Sequence, residues 1–188
     1  MTTEIAAQHD HLSDGVRPGL RFVPAPPASD LRSTVVTTPI GDVVLIGAND
    51  VLVELELPGD SRVRHPEGHP GRDDAALVDA AAQLSEYFSG TRRSFDLAVA
   101  PQGTEFQTTV WATLAEIPYG TTATYGEVAA KVGNAKASRA VGMANNRNPI
   151  ALIIPCHRVI GASGKLVGYG GGLPAKEFLL NLERGAPR

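Results

Sequence analysis

Cysteine is scarce in this sequence, with Cys156 the only one in 188 residues. A single thiol cannot form a disulfide within the chain, and it cannot supply the several thiolates of a cysteine-rich zinc cluster. A lone cysteine is most often a small buried apolar residue. Its neighbours must therefore decide whether it carries chemistry.

Long apolar runs are also absent. No stretch approaches the roughly 20 apolar residues that span a bilayer. Residues 2–14 are polar and acidic, and they lack the apolar core of a signal peptide. We therefore expect a cytoplasmic protein. Hydrophobic residues make up 43% of the chain and charged residues 20%, which is sufficient for one domain or two small ones.

The net charge of −3 conceals an uneven distribution along the chain. Residues 1–102 contain 8 basic and 15 acidic side chains, a balance of −7, whereas residues 103–188 contain 9 and 5, a balance of +4. Basic surface attracts a phosphate backbone, although many mildly basic surfaces bind nothing. The second half is thus the candidate for nucleic-acid binding.

The first hundred residues predict a tail followed by an α/β domain. Residues 1–32 contain several prolines and no periodic pattern, which predicts a flexible tail. In residues 33–100, three short β-branched runs separated by turns indicate an antiparallel meander. Residues 73–88 then show the apolar spacing of a helix that Gly90 would end.

A linker at residues 101–103 is predicted to precede a mostly helical domain over 104–188. Short helices are expected over 125–132 and 135–146, the second capped by Asn134. Two short helices separated by a glycine-containing turn are typical of a helix-turn-helix. The apolar residues 149–154 predict an extended run that leads into the cysteine.

Cys156 stands between Pro155 and His157. The thiolate is the reactive form of cysteine, and an ordinary pKa of about 8.5 leaves only a few per cent ionised at neutral pH. A nearby base is needed, and a bridging water is the expected relay if His157 is that base. The pair alone leaves open a thiol hydrolase, which would turn over repeatedly and need an oxyanion hole. It also leaves open a helix-turn-helix DNA-binding module with a structural cysteine.

The longer stretch at residues 154–160, Ile-Pro-Cys-His-Arg-Val-Ile, resembles the active-site signature of the O6-alkylguanine-DNA alkyltransferases. Further segments resemble that family at matching distances from the cysteine: Tyr125-Gly126, residues 138–142, Asn148, residues 168–172 and residues 179–183. The resemblance extends through residues 103–184. It covers residues 33–100 only in the order of strands and helices, and residues 1–32 not at all.

The resemblance implies a ribonuclease H-like α/β N-terminal domain and a mostly helical C-terminal domain with a winged helix-turn-helix. It implies irreversible, single-turnover transfer of an alkyl group to Cys156 from O6 of guanine, and also from O4 of thymine, in double-stranded DNA. The damaged base would be flipped out of the duplex. No cofactor is implied, and the expected form is a monomer in solution, with cooperative assembly on DNA left open.

The resemblance also implies a role for each matching residue. Cys156 would accept the alkyl group, His157 would act as its base through water, and Glu183 would orient His157. Tyr125 would donate a proton toward the departing guanine, and Asn148 would position the turn that holds the cysteine. The residues expected to form the pocket for the flipped base are Val159, Tyr169, Gly170 and Gly171.

The segment 135–147 carries three basic residues and no acidic one, and most of its other residues are small. A narrow basic helix can approach the minor groove closely. The resemblance further assigns Arg139 to the gap that the flipped base leaves in the duplex. The residues predicted to contact DNA are Lys136, Ala137, Ser138, Arg139, Asn145 and Arg147.

No metal site is predicted. Some members of the family carry a zinc site near the N-terminus, built from several cysteines and histidines, and this chain lacks the cysteines. His9, His11, His65 and His69 lie in the predicted tail and in a predicted loop, so we do not expect them to bind a metal. Family members that have lost the acceptor cysteine, and bind lesions without repairing them, are excluded by Cys156.

Overall fold

A computed structural model of the protein describes residues 19–60, 65 and 67–185. Its N-terminal part contains a five-stranded sheet with the strand order β1-β5-β4-β3-β2. The strands are β1 (Arg21–Phe22), β2 (Arg32–Thr38), β3 (Gly41–Ala48), β4 (Val51–Glu56) and β5 (Ala98–Val99). Strands β2, β3 and β4 pair in antiparallel order, whereas β5 runs parallel to both β4 and β1.

The antiparallel meander predicted from the β-branched runs is confirmed. Its second turn joins β3 to β4 through Asn49 and Asp50, whose φ angles are 52° and 59°. A two-residue hairpin turn of type I′ needs positive φ at both positions, and Asn and Asp adopt it more readily than most other residues. The turn places Leu45 and Leu55 opposite each other on neighbouring strands, and both are buried.

Helix α1 (Val78–Ser89) begins five residues later than the apolar spacing predicts. Asp73 Oδ1 accepts a hydrogen bond from Ala75 N at 3.0 Å, which holds the chain in a turn that competes with helix formation. The helix ends at Gly90, whose φ of 83° is the left-handed conformation found at many helix ends. Because α1 connects β4 to the parallel strand β5, the domain has the expected α/β architecture.

Part of the predicted tail belongs to the sheet. Residues 1–18 lie outside the described residues, but Arg21 and Phe22 form β1 at the sheet edge. Arg21 N donates to Leu97 O at 2.9 Å, and Val23 N donates to Val99 O at 3.0 Å. The expectation of a tail therefore fails from residue 21 onward, because pairing with β5 orders a segment that has no periodic pattern of its own. The division of the chain at residues 101–103 stays a prediction.

The C-terminal part is mostly helical, as expected. It contains α2 (Glu105–Ala115), α3 (Tyr125–Lys131), α4 (Ser138–Asn146) and α5 (Gly172–Glu183), with the short parallel strands β6 (Ala123–Thr124) and β7 (Val159–Ile160). Thr104 and Thr124 begin α2 and α3 with capping boxes, in which the side chains of Gln107 and Glu127 return the hydrogen bond. No helix among the described residues has the length and apolar character needed to cross a membrane.

Helices α3 and α4 form the predicted helix-turn-helix, but α4 is shorter than expected. Asn134 Oδ1 accepts from Lys136 N at 3.2 Å, so this side chain closes a turn instead of capping a helix. The helix begins only at Ser138, and Lys136 and Ala137 precede it. Buried Trp111 of α2 fixes the far end of α4, because its Nε1 donates to the carbonyl of Ala144 at 2.9 Å.

Candidate active site

Cys156 is the first residue of a short 3-10 turn that spans Cys156–Arg158. Pro155 precedes it with a φ of −80°, near the value that the proline ring imposes. The thiol side chain is buried, with 3% of the residue exposed. His157 and Arg158 occupy the other two positions of the same turn and are buried as well. The turn thus brings a thiol, an imidazole and a guanidinium into the protein interior within three residues.

The chain that leads into the cysteine is a tight turn, and the extended run predicted for residues 149–154 is wrong. Leu152 has a φ of 74°, which is a strained conformation for leucine, and Ile154 N donates to Ile150 O at 2.9 Å. Asn148 holds the turn closed from inside. Its Nδ2 donates to Ile154 O at 2.8 Å, and its Oδ1 accepts from Ile150 N at 3.0 Å. This position agrees with the role expected for Asn148.

Glu183, the last residue of α5, is the centre of a buried hydrogen-bond network. Its Oε1 lies 2.7 Å from His157 Nε2 and accepts from the Tyr87 hydroxyl, also at 2.7 Å. Arg158 donates to Oε1 through Nη2 at 2.9 Å and to Oε2 through Nε at 2.9 Å. Gly120 N donates to Oε2 at 3.0 Å. Both carboxylate oxygens therefore have partners, as a buried carboxylate requires.

This network keeps Glu183 ionised and His157 neutral. Burial by itself would raise the pKa of Glu183, but the hydrogen bonds from His157 and Arg158, together with the charge of Arg158, outweigh it and lower that pKa to about 2. Burial lowers the pKa of His157, against the opposing effect of Glu183 and with the help of the charges on Arg158 and Lys176.

A neutral imidazole beside an ionised carboxylate carries its proton on the nitrogen that faces the carboxylate. His157 Nε2 is therefore the donor to Glu183. The other ring nitrogen, Nδ1, keeps its lone pair, and it is buried with no hydrogen-bond partner among the described residues. The site thus holds a base in one tautomer, next to the thiol in the sequence.

Lys176 belongs to the site and was not found by the sequence analysis. It is fully buried, and its Nζ donates to Val159 O at 2.6 Å and to Val167 O at 2.8 Å. Burial lowers the pKa of Lys176 to about 8, whereas the charge of Cys156 acts in the opposite direction. Its two hydrogen bonds tie β7 to the glycine-rich loop that follows.

Two more residues of the site, Tyr87 and Arg158, were also missed. For Lys176, a signal exists in the sequence of α5, where charged side chains lie on the apolar face of the helix. Lys176 and Glu183 of α5 are seven residues apart, and both are buried on the face that also buries Leu179. A charged residue on the buried stripe of a helix requires a partner inside the protein, and so it marks a site.

Tyr125, at the first position of α3, lies near both the thiol and α4. Its hydroxyl donates to Val167 O at 3.4 Å. Burial, with the charge of Cys156 as the second cause, raises the pKa of Tyr125, so the phenol keeps its proton at neutral pH. A Cβ added at Gly142 of α4 would lie 3.7 Å from Tyr125 Cε1, so the ring packs directly on the helix backbone. Tyr125, Gly142 and Arg139 are among the residues that line an open groove between α3 and α4.

The predicted pocket residues are found around the same turn. The rings of Tyr169 and His157 meet edge to face, with centroids 6.4 Å apart. A Cβ at Gly171 would come within 3.0 Å of Leu57 Cδ1, so a glycine lets the loop pass close to the N-terminal domain. Val159 is buried in β7, and its contact with a flipped base stays a prediction, as does that of Gly170.

Most of the residues predicted to contact DNA are available for it. Five are at least partly exposed: Lys136, Ala137, Ser138, Arg139 and Arg147. Asn145 is not, because only 3% of it is exposed. It follows buried Val141 by four residues and so lies on the inner face of α4, and its predicted contact with DNA is wrong. Met143, four residues after Arg139, is 61% exposed on the outer face and was not predicted.

One group of side chains among the described residues has the composition of a metal site. Ligand atoms of Glu54, Glu56 and His65 lie within 4.8 Å of one another. His65 Nε2 is 3.0 Å from Glu54 Oε2, and His69 Nε2 is 2.7 Å from Glu56 Oε2. Two imidazole–carboxylate pairs account for these contacts without an ion, so we assign no metal to them. His9 and His11 lie outside the described residues.

Comparison with known proteins matches both parts of the chain to one family. Residues 31–101 match the family model described as "6-O-methylguanine DNA methyltransferase, ribonuclease-like domain". Residues 105–185 match the model described as "6-O-methylguanine DNA methyltransferase, DNA binding domain".

Curated relatives match over most of their length. The methylated-DNA–protein-cysteine methyltransferase of Methanosarcina acetivorans is 53% identical over 147 residues, which covers 78% of this chain and 94% of that protein. The protein of the same name from Mycobacterium leprae is 47% identical over 152 residues, covering 78% and 88%.

Solved structures agree with this match. The crystal structure of Mycobacterium tuberculosis O6-methylguanine methyltransferase superposes with a TM-score of 0.77 at 45% identity, covering 84% of this chain and 95% of that one. A crystal structure of the M. tuberculosis protein in complex with DNA gives the same TM-score at 46% identity, with 83% and 95% covered. The chain therefore belongs to the 6-O-methylguanine DNA methyltransferase family.

Proposed function

We propose that this protein repairs double-stranded DNA by moving an alkyl group from O6 of guanine to Sγ of Cys156. One observation carries the proposal: a buried thiol is followed by a histidine that an ionised glutamate holds neutral, with its second nitrogen available as a base. A thiolate is the nucleophile that displacement at a carbon requires, and a base beside it can generate that thiolate. Relatives that match most of the chain bear the name methylated-DNA–protein-cysteine methyltransferase.

The proposed reaction is an in-line displacement at the alkyl carbon. The thiol proton passes through a water to His157 Nδ1, and the bond from Sγ to carbon forms as the bond from carbon to O6 breaks. A ring nitrogen of the departing guanine takes a proton from Tyr125, whose raised pKa keeps that proton available. Return of the proton from His157 to the Tyr125 phenolate balances the cycle. The net change moves the thiol proton to guanine and the alkyl group to sulfur.

The product explains why turnover should stop after one event. An S-alkylcysteine is a thioether, and it offers no acyl carbon that water can attack. No second half-reaction therefore regenerates the thiol. We propose O4-alkylthymine as a further substrate because its oxygen has the same chemistry, and we retain the expected monomeric state and cytoplasmic location as predictions.

Mass spectrometry of the intact protein tests this mechanism. After incubation with excess O6-methylguanine duplex DNA, we expect a mass increase of one methyl group, localised to Cys156 by peptide mapping. The amount of repaired guanine should equal the amount of protein. Several repaired bases per protein would indicate a hydrolase, and DNA binding without any mass change would indicate a binding module with a structural cysteine.

DNA binding is proposed to use the exposed face of α4. Arg139 is exposed on this helix and lines the groove that also contains Tyr125. A guanidinium can stack on bases and donate several hydrogen bonds at once, which suits it to the space vacated by a flipped base. Lys136 and Arg147 are exposed at either end of the helix, where they can contact phosphates.

Arg139→Lys tests whether Arg139 fills the space left by the flipped base or only contacts a phosphate. We expect the variant's loss of transfer rate relative to the wild type to be larger on duplex DNA than on single-stranded DNA, because only a duplex has an orphaned partner base and a gap in the stack. Lys136→Ala is the matched control, and it should weaken binding to all sequences equally and reduce the salt dependence by about one phosphate contact. If the Arg139→Lys defect were equal on both substrates, or vanished at low salt, Arg139 would be an ordinary phosphate contact.

A further inference from the structure

Tyr87 connects the N-terminal domain to the active-site network. It lies on α1, 96 residues before Glu183, and it is fully buried. Its hydroxyl donates to Glu183 Oε1 at 2.7 Å. Burial and the neighbouring Glu183 both raise the pKa of Tyr87, so the phenol stays protonated and acts only as a donor to the carboxylate.

The hydroxyl binds the same oxygen that His157 uses. Glu183 Oε1 accepts from Tyr87, from His157 Nε2 at 2.7 Å and from Arg158 Nη2 at 2.9 Å. Each donor to Glu183 Oε1 stabilises the negative charge of the carboxylate, so each lowers the affinity of that oxygen for the proton of another donor. The strength of the imidazole–carboxylate bond therefore depends on the tyrosine.

We propose that Tyr87 is a positioning residue of the N-terminal domain that limits the proton affinity of His157 by sharing Glu183 Oε1. This inference rests on the function proposed above. A carboxylate without the Tyr87 donor would bind the imidazolium more tightly and would hold His157 protonated to a higher pH. Tyr87 thus favours the neutral imidazole, which is the form that can accept the thiol proton.

The other groups that face His157 act on its proton affinity in opposite directions. The ionised Glu183 favours the imidazolium, whereas the cations of Arg158 and Lys176 oppose it. The ring of Tyr169 meets the imidazole edge to face. Tyr87 is the neutral group of the N-terminal domain that affects the protonation of His157, through its hydrogen bond to Glu183.

A second contact shows that the N-terminal domain reaches the same turn by another route. Leu55 N of β4 donates to Pro149 O at 2.8 Å, and Leu55 forms an isolated parallel bridge with Ile150. The backbone of β4 thus holds the turn before Cys156, while α1 holds the carboxylate that orients His157. Removing the Tyr87 hydroxyl leaves the β4 contact in place.

Tyr87→Phe separates this role from packing. The Tyr87 ring contacts Phe88 and Phe95, with centroids 5.5 Å away in each case, and the substitution keeps the ring. The measurement is the single-turnover rate of methyl transfer against pH, with saturating duplex DNA. We expect the acid limb of the profile to move to higher pH by roughly one unit, so that the rate on that limb falls about tenfold. The plateau at high pH should stay within about threefold of the wild-type value.

The matched control is Tyr119→Phe, which removes a hydroxyl from the same aromatic cluster. That hydroxyl donates to Leu182 O at 3.5 Å, and the ring lies 6.1 Å from Tyr87. Its acid limb should stay at the wild-type pH. A Tyr87→Phe protein with a lower melting temperature and an unmoved acid limb would reduce Tyr87 to a packing residue and overturn the proposal.

Two further measurements keep the test decisive. Incorporation of 3-fluorotyrosine at position 87 makes the phenol a stronger donor, so the limb should move to lower pH, and movement in the other direction contradicts the proposal. Titration of the His157 ring by NMR, in a Cys156→Ser background, should show a raised pKa in Tyr87→Phe without any need for transfer. A wild-type protein that transfers no methyl group refutes the proposed function, whereas an unchanged His157 titration refutes only the role of Tyr87.

Discussion

The Cys156→Ser protein should bind alkylated duplex DNA with nearly wild-type affinity and transfer no detectable methyl group. Serine is close to cysteine in size, and backbone hydrogen bonds hold the turn that precedes it, so the fold should be retained. A hydroxyl is far less acidic than a thiol, and the base that ionises a thiol at neutral pH cannot ionise serine to a useful extent. The difference between the two proteins thus isolates the nucleophile from the DNA-binding surface.

Fluorescence anisotropy with a labelled O6-methylguanine duplex measures the binding, and intact mass spectrometry measures the transfer. Cys156→Ala is the companion variant, because it removes the hydroxyl as well and should behave like Cys156→Ser. Methyl transfer to another side chain of either variant, His157 above all, would show that the acceptor has been misassigned. Loss of DNA binding in both variants would show that the thiol contributes to the interface.

Glu183→Gln should slow methyl transfer on the order of 10²-fold, because His157 loses the carboxylate that orients its ring and stabilises its protonated form during the reaction. The same change should destabilise the fold. Arg158 makes its side-chain contacts with Glu183 and with Ile117 O, so the variant leaves a buried guanidinium without a counter-charge. Breaking a buried ion pair from one side costs about 3 kcal/mol or more.

The stabilisation that ionised Glu183 gives to the folded protein decreases at low pH. Because Glu183 has a pKa of about 2 in the folded protein and 4.5 as its ordinary value, the folded state favours the ionised form. The stabilisation is complete above pH 4.5 and is lost as the pH falls toward 2, with a total of about 3 kcal/mol. The free energies of unfolding of the wild type and Glu183→Gln should therefore converge in that window.

Glu177→Gln on the same helix is the matched control, since Glu177 is exposed. It should change neither the transfer rate nor the stability by a measurable amount, because exposed charges contribute little. Rates should be compared at a temperature where circular dichroism shows that all three proteins are folded. A folded Glu183→Gln protein with a near-normal single-turnover rate would remove Glu183 from the mechanism.

Several features of the fold follow from local sequence alone. The meander follows from β-branched runs and from turn residues such as Asn49 and Asp50, which tolerate positive φ. The start of α2 follows from its capping threonine, Thr104. The sequence predicts helix starts at residues 73 and 135, and both are too early because Asp73 and Asn134 use their side chains to close turns. Such a turn and a helix cap require the same residue types, so local sequence does not distinguish them.

The resemblance to a known family predicts Cys156, His157 and Glu183 from sequence alone, because their types and spacing are specific as a set. The sequence could not show the turn at residues 149–154, whose apolar composition also suits an extended strand. Nor could it show that Asn145 faces inward, since that depends on which side of α4 meets the rest of the protein.

The sequence by itself determined the order of strands and helices, the single nucleophile and the residues that resemble a repair site. Only the tertiary structure decided how that site is charged. Tyr87 of α1 and Arg158 of the cysteine turn bind Glu183, and Lys176 of α5 binds Val159 O, through contacts that span up to 96 residues. The pKa values of His157 and Glu183 depend on burial and on these neighbours, and both are properties of the folded chain, in which residues distant in sequence become adjacent in space.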